Sequence, residues 1–128
     1  IFLGDVGSVP LGYLIGWLLL ELVQAGQVAA ALILPLYFLA DATITLVRRA
    51  LNGERVWRAH RSHFYQRAVA GGLGHAQVTK RVLAANGLLV AAAAAAAAAP
   101  SAAAQAAAAV AAAAIVFLLL GNLARGRK

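Results

Sequence analysis

Two short segments carry residues suited to meeting phosphate. The first is GDVGS, residues 4–8. Gly4 and Gly7 can take positive φ and let a ligand come close to the main chain. Ser8 is a good N-cap and Pro10 suits a first helical turn, so a helix is predicted to open there. A helix start offers free N–H groups to an anion. Asp5 adds a hard carboxylate oxygen of the kind Mg²⁺ takes beside substrate phosphates. The same five residues would equally make an ordinary helix entrance with a solvated carboxylate.

The second is ERVWRAHRSHFYQR, residues 54–67. His60, His63 and Arg67 are spaced i, i+3, i+7, which predicts one shared helical face, with Arg58 and Arg61 nearby. Guanidinium groups bind phosphate oxygens through a fork of donors. Trp57, Phe64 and Tyr65 suit a membrane–water interface. An amphipathic helix lying on anionic lipid would account for the arginines, and less well for the paired histidines. Metal binding by His60 and His63 lacks a third ligand nearby in sequence.

Other ionisable residues read less sharply. Asp41 lies in an apolar run about two turns before Arg48 and Arg49. An ionisable group there is either functional or a structural partner for an arginine or a main-chain group, with the structural role slightly favoured. Glu21 should reach water. His75, among turn glycines, is either ligand-facing or a plain loop residue.

These residues must be positioned by elements that suit a bilayer. Of 128 residues, 63% are hydrophobic and 12% charged, about half the charge of an ordinary soluble domain. The fold class expected is all-α with polytopic transmembrane helices. There is no cysteine, which excludes a disulfide framework or thiolate metal site. The absence of methionine and the start at Ile1 suggest a piece of a longer protein. No basic n-region of a signal peptide is visible.

A crossing needs about 20 mostly apolar residues. Residues 9–23 with flanks, 29–47 with Pro35 inside, 82–99 and 102–121 supply four candidates, with a turn at Pro100-Ser101. The last two are alanine-rich, and a soluble helical hairpin competes with the membrane reading there. The lack of any charge over residues 82–124 and the IVFLLL end favour the membrane. Eight of the eleven basic residues fall between Arg48 and Arg81. Such loops stay in the cytoplasm, so 48–81 forms a basic cytoplasmic loop. Residues 1–8 and the tail 122–128 then share that side, and Asp5 meets the same membrane face as the histidines.

The three segments together resemble one family. FLGDVGSVPLG is similar to the F-x-G-D-x-G-S segment of the polyprenyl-phosphate N-acetylhexosamine-1-phosphate transferases, glycosyltransferase family 4. LPLYFLADATITLVRRALNGE resembles that family's late span ending in a basic pair. AHRSHFYQRAVAGGLGHAQV resembles its histidine loop. The resemblance covers residues 1 to about 81, and three segments in the right order are more specific than any one. It implies a C-terminal part, residues 1–128, of one membrane-embedded transferase domain in a bacterial inner membrane, with its active face cytoplasmic.

The resemblance further implies transfer of a sugar-1-phosphate from a UDP-sugar to polyprenyl phosphate, with release of UMP and a need for Mg²⁺, in cell-wall or surface-polysaccharide synthesis. Asp5 matches the motif aspartate, catalytic or metal-binding. Gly4, Gly7 and Ser8 belong to its motif. His60 and His63 match the outer histidines of an H-x-H-H pattern used in nucleotide-sugar recognition, with Arg61 and Arg67 beside them. Ser62 departs from that pattern. The family's aspartate pair and Asn/Asp-rich motif have no counterpart in the chain, so no transferase activity is expected of it alone. Partners expected are the UDP-sugar, polyprenyl phosphate and the bilayer; no nucleic acid is expected, and a homo-oligomer is left open. The alternatives are a non-enzymatic membrane anchor or partner subunit with a lipid-binding basic loop, and a relative that has lost activity.

Overall fold

A computed structural model describes residues 4–58 and 60–125. The described residues form helices and turns only: α1 (Gly4–Gln24), α2 (Val28–Ile33), α3 (Leu36–Leu51), α4 (Phe64–Ala70), α5 (His75–Ala98) and α6 (Ala102–Arg125). The chain is an all-helical, multi-pass membrane protein. Three helices, α1, α5 and α6, are each long and apolar enough to cross a bilayer.

The expected second span is broken in two. Pro35 lacks an N–H, and its ring cannot sit beside the carbonyl one turn earlier in a continuous helix. Residues 28–51 therefore run as α2, a turn at Leu34 and Pro35, and α3, whose first turn is closed by Leu39 N–H donating to the Pro35 carbonyl at 3.0 Å.

Helix α1 opens earlier than expected. It starts at Gly4, which takes φ 63°, so Ser8 lies inside the helix rather than at its cap. Gly7 is helical, without the positive φ allowed for it. Pro10 likewise lies inside the helix. No residue of α1 is buried. A helix apolar over most of its surface and exposed all round suits hydrocarbon rather than water.

The α5–α6 hairpin forms the centre, turning at residues 99–101 as the sequence predicts. Ala99, preceding Pro100, is extended, as proline requires of its predecessor. Ser101 Oγ accepts the Ala104 N–H at 3.3 Å and caps α6. At the other end of the hairpin, Arg81 Nη1 donates to Asn122 Oδ1 at 2.6 Å. Alanine contributes close approach: Ala85, Ala93 and Ala96 on α5 are buried, with Ala112, Val116 and Leu120 on α6. In a bilayer, where lipid is as apolar as leucine, such small residues favour association through dispersion between closely spaced backbones. Helices α2, α3 and α4 all pack on α6. Both hairpin helices overrun their expected limits at residues 82 and 121.

Candidate functional site

The histidine segment runs between two glycine-terminated helix ends. After α3, Gly53 takes φ 70°, its N–H donating to the Ala50 carbonyl while Glu54 N–H reaches Arg49 at 3.0 Å. After α4, Gly72 takes φ 105° and the same pair of bonds recurs to Val69 and Ala68. This C-terminal motif needs a left-handed residue, which glycine adopts without strain. It stops each helix at a defined residue and so fixes where the segment leaves and rejoins the bundle.

Helix α3 supplies the anchors. All of its buried residues, Tyr37, Asp41, Thr45 and Arg49, lie four apart on one face. Thr45 Oγ1 donates to Asp41 Oδ1 at 3.3 Å. The same carboxylate oxygen accepts the Phe64 N–H at 3.0 Å and lies 3.5 Å from His63 Nδ1. Asp41 thus caps α4 from another helix. Of the structural roles expected from sequence, partner to an arginine or to a main-chain group, it takes the second.

The basic pair is turned inward. Arg49, only 4% exposed, donates Nε to Glu54 at 2.8 Å and Nη2 to the Arg55 carbonyl at 3.0 Å, with the Val56 and Arg58 carbonyls each 3.4 Å from Nη1. Its charge is spent organising residues 54–58. Arg48 Nη2 donates to the Ser62 carbonyl at 2.9 Å, and its guanidinium lies 5.9 Å from the Phe64 ring centroid. Arg55, Arg58 and Arg61 remain exposed.

The expected helical face of His60, His63 and Arg67 is not formed. Helix α4 begins at Phe64, with His63 at its N-cap and His60 in the non-helical segment before it. His63 N–H donates to Gln66 Oε1 at 3.3 Å, and Asp41 takes the next N–H, so the helix cannot start earlier. The two histidines meet nonetheless. Their ring centroids are 4.9 Å apart, and His63 stacks on Tyr65 at 5.9 Å with planes 18° apart.

Ser62 explains the state of His60. Its Oγ is 2.9 Å from His60 Nδ1, and its main-chain N–H points to the same nitrogen at 3.5 Å. A main-chain amide can only donate, so Nδ1 accepts and the ring proton lies on Nε2. Partial burial, then the Arg49 cation and the neighbouring His63 ring, hold the His60 pKa below its ordinary value. In its neutral form His60 presents Nε2–H. Glu54 is also held below the usual carboxylate range, chiefly by the hydrogen bond from Arg49.

Beside His63 lies an open cavity of about 600 Å³ between α3 and α5, walled mainly by Phe38, Val78, Val82 and Leu83, with Asp41, His63 and Asn86 supplying polar atoms. The Tyr37 hydroxyl is buried at this wall with no hydrogen-bond partner among the described residues.

The remaining predicted residues are placed as follows. Arg67 is half-buried on α4, and His75 is exposed at the first residue of α5. Asp5 is exposed in the first turn of α1 and, among the described residues, has no hydrogen-bond or ion-pair partner. The structure therefore gathers His60, Ser62, His63 and Tyr65 with Asp41, and does not join Asp5 to them by any contact. The signal that exposes the anchors is the Asp41–Thr45–Arg49 spacing, a polar stripe at helical period inside an apolar helix.

Over 79 residues the chain is 34% identical to a protein of Bacillus subtilis (strain 168) described as a probable undecaprenyl-phosphate N-acetylglucosaminyl 1-phosphate transferase. The match covers 59% of this chain and 22% of that protein. The chain thus spans about a fifth of the length of the curated relative it matches. This similarity supports the resemblance carried by the three motifs. No family model matches the chain, and no solved structure matches it.

Proposed function

We propose that the chain is part of a polyprenyl-phosphate sugar-1-phosphate transferase, and that its histidine segment helps to bind the UDP-sugar at the cytoplasmic face. The observation that carries this reading is the paired imidazoles of His60 and His63, 4.9 Å apart, with His63 against Asp41 of α3, in a chain similar to a named transferase of this kind.

In the proposed reaction an oxygen of polyprenyl phosphate attacks the sugar-bearing phosphorus of the UDP-sugar. The bond from that phosphorus to the bridging oxygen breaks, UMP leaves, and the sugar-1-phosphate ends on the lipid in a new diphosphate. Such a transfer depends mainly on positioning and on offsetting negative charge. His60 Nε2–H can donate to a phosphate oxygen without its own proton changing hands. Exposed Arg61, the next residue in the chain, supplies positive potential beside it. The lipid tail stays in hydrocarbon while its phosphate reaches the surface.

Mg²⁺ belongs to this reading through Asp5. Among the described residues no group of three or more histidine, aspartate or glutamate side chains could hold a metal. Asp5 alone fits as one carboxylate of a site whose other oxygens come from phosphates, water or residues beyond those described. Bound there, the ion would neutralise phosphate charge as it develops.

Equilibrium binding tests the reading against a lipid-binding anchor. In membranes carrying the protein expressed from its own gene, UDP-N-acetylglucosamine binding should require Mg²⁺ and weaken in His63→Ala. Salt-sensitive binding to anionic vesicles, without nucleotide selectivity, would instead identify an anchor.

A further inference from the structure

We infer that Asp41 is the positioning residue of the histidine segment, setting from inside α3 which nitrogen of His63 is available to a ligand. The inference deepens the nucleotide-sugar reading and rests on it for its consequence, though not for its geometry. One carboxylate oxygen is shared by three groups: Thr45 Oγ1 at 3.3 Å, the Phe64 N–H at 3.0 Å and His63 Nδ1 at 3.5 Å. Thr45 is fully buried and Asp41 5% exposed, so the carboxylate is held from below by its own helix. The Phe64 N–H fixes the start of α4 against it. The oxygen accepts, and the negative charge of the carboxylate favours a proton on the His63 nitrogen that faces it.

His63 then turns Nε2 away from Asp41. His60 is the mirror case, since the Ser62 amide makes its Nδ1 the acceptor and puts its proton on Nε2. Two neighbouring imidazoles are thereby fixed by different anchors, one from its own segment and one from α3. In the neutral form, His60 offers a donor and His63 an acceptor. A uridine or an N-acetyl sugar carries both kinds of group at fixed positions, whereas inorganic phosphate presents chiefly acceptor oxygens and only rotatable hydroxyls. Asp41 would therefore contribute to selecting the nucleotide sugar over inorganic phosphate, without touching either.

The test separates holding α4 from orienting His63. Asp41→Asn keeps an oxygen for the Phe64 N–H but removes the charge facing His63; Thr45→Val removes only the hydroxyl that steadies the carboxylate. The protein, expressed from its own gene with ¹⁵N-labelled histidine and placed in lipid nanodiscs, would be examined by long-range ¹H–¹⁵N spectra. The wild type should show a protonated Nδ1 on His63. In Asp41→Asn that signature should shift toward the Nε2-protonated tautomer while the Phe64 amide stays protected from exchange, and Thr45→Val should shift it less in the same direction. KM for UDP-N-acetylglucosamine should rise about tenfold with kcat changed less than about threefold. An unprotonated Nδ1 in the wild type, or an unchanged His63 signature in Asp41→Asn, would overturn the inference. A shifted tautomer with unchanged UDP-N-acetylglucosamine binding would uphold the positioning and refute the nucleotide-sugar reading instead.

Discussion

Arg48 reaches across fourteen residues to Ser62, its guanidinium donating to the serine carbonyl at 2.9 Å. The bond ties the end of α3 to the residue just before His63, and the same guanidinium covers the Phe64 ring. Arg48, one of the basic-loop charges in the sequence, is a structural tie. Arg48→Ala should loosen residues 60–64 and cost about 1.5–3 kcal/mol locally, the range for a hydrogen bond to a charged group. Amide exchange across the segment measures this; unchanged protection would contradict the role.

Arg49 should be less replaceable still. It satisfies one carboxylate and three carbonyls from a buried position. Arg49→Leu should leave α3 helical and release residues 54–58, seen as new cleavage at Arg55 or Arg58 by trypsin. Glu54 is half exposed, so Glu54→Gln should have only a small effect. Equal sensitivity of the two variants would show that the carbonyl contacts contribute nothing.

The segment should weaken in acid. His60 titrates below its ordinary 6.5, so between the folded and unfolded values the folded chain binds fewer protons, and stability falls as pH drops through that window. Glu54, also lowered, contributes fully above its ordinary 4.5 and loses that contribution as pH falls through its folded value. A ¹⁵N titration should place the His60 midpoint below 6.5, rising toward it in His63→Ala, which removes the imidazole coupled to it. A midpoint at or above 6.5 in the wild type would contradict the environment described.

The hairpin should resist enlargement at its alanines. Ala112 is fully buried on α6, which packs along α5. Ala112→Phe should push the helices apart at a cost of about 1–3 kcal/mol, whereas the same change at exposed Ala111 should be nearly neutral. Thermal unfolding in nanodiscs compares them; equal midpoints would mean the helices do not pack through this face.

The apolar runs and the Pro100 turn were legible because period, length and residue type act locally. The start of α4 was not. Helical spacing alone allows His60, His63 and Arg67 to share a face, but the Asp41 carboxylate, brought close only by folding, takes the Phe64 N–H and sets the boundary there. The extent of α1 was missed for a similar reason: Ser8 and Pro10 make a good local helix start, yet the helix runs back to Gly4. The break at Pro35 was visible in the sequence as a proline, and its effect outweighed the apolar composition that suggested one continuous span. The inward turn of Arg48 and Arg49 could not be read from charge, since a basic pair at a helix end looks the same whether it faces lipid or main-chain carbonyls.

The most direct test is release of UMP. Membranes carrying the protein expressed from its own gene would be given a panel of UDP-N-acetylhexosamines, with and without polyprenyl phosphate and Mg²⁺. The account predicts UMP release that requires both additions, is nearly abolished in Asp5→Asn at normal expression, and has a raised KM for the UDP-sugar in His63→Ala. No release from any of these donors while the protein is present in the membrane, or full release in Asp5→Asn and His63→Ala, would contradict it.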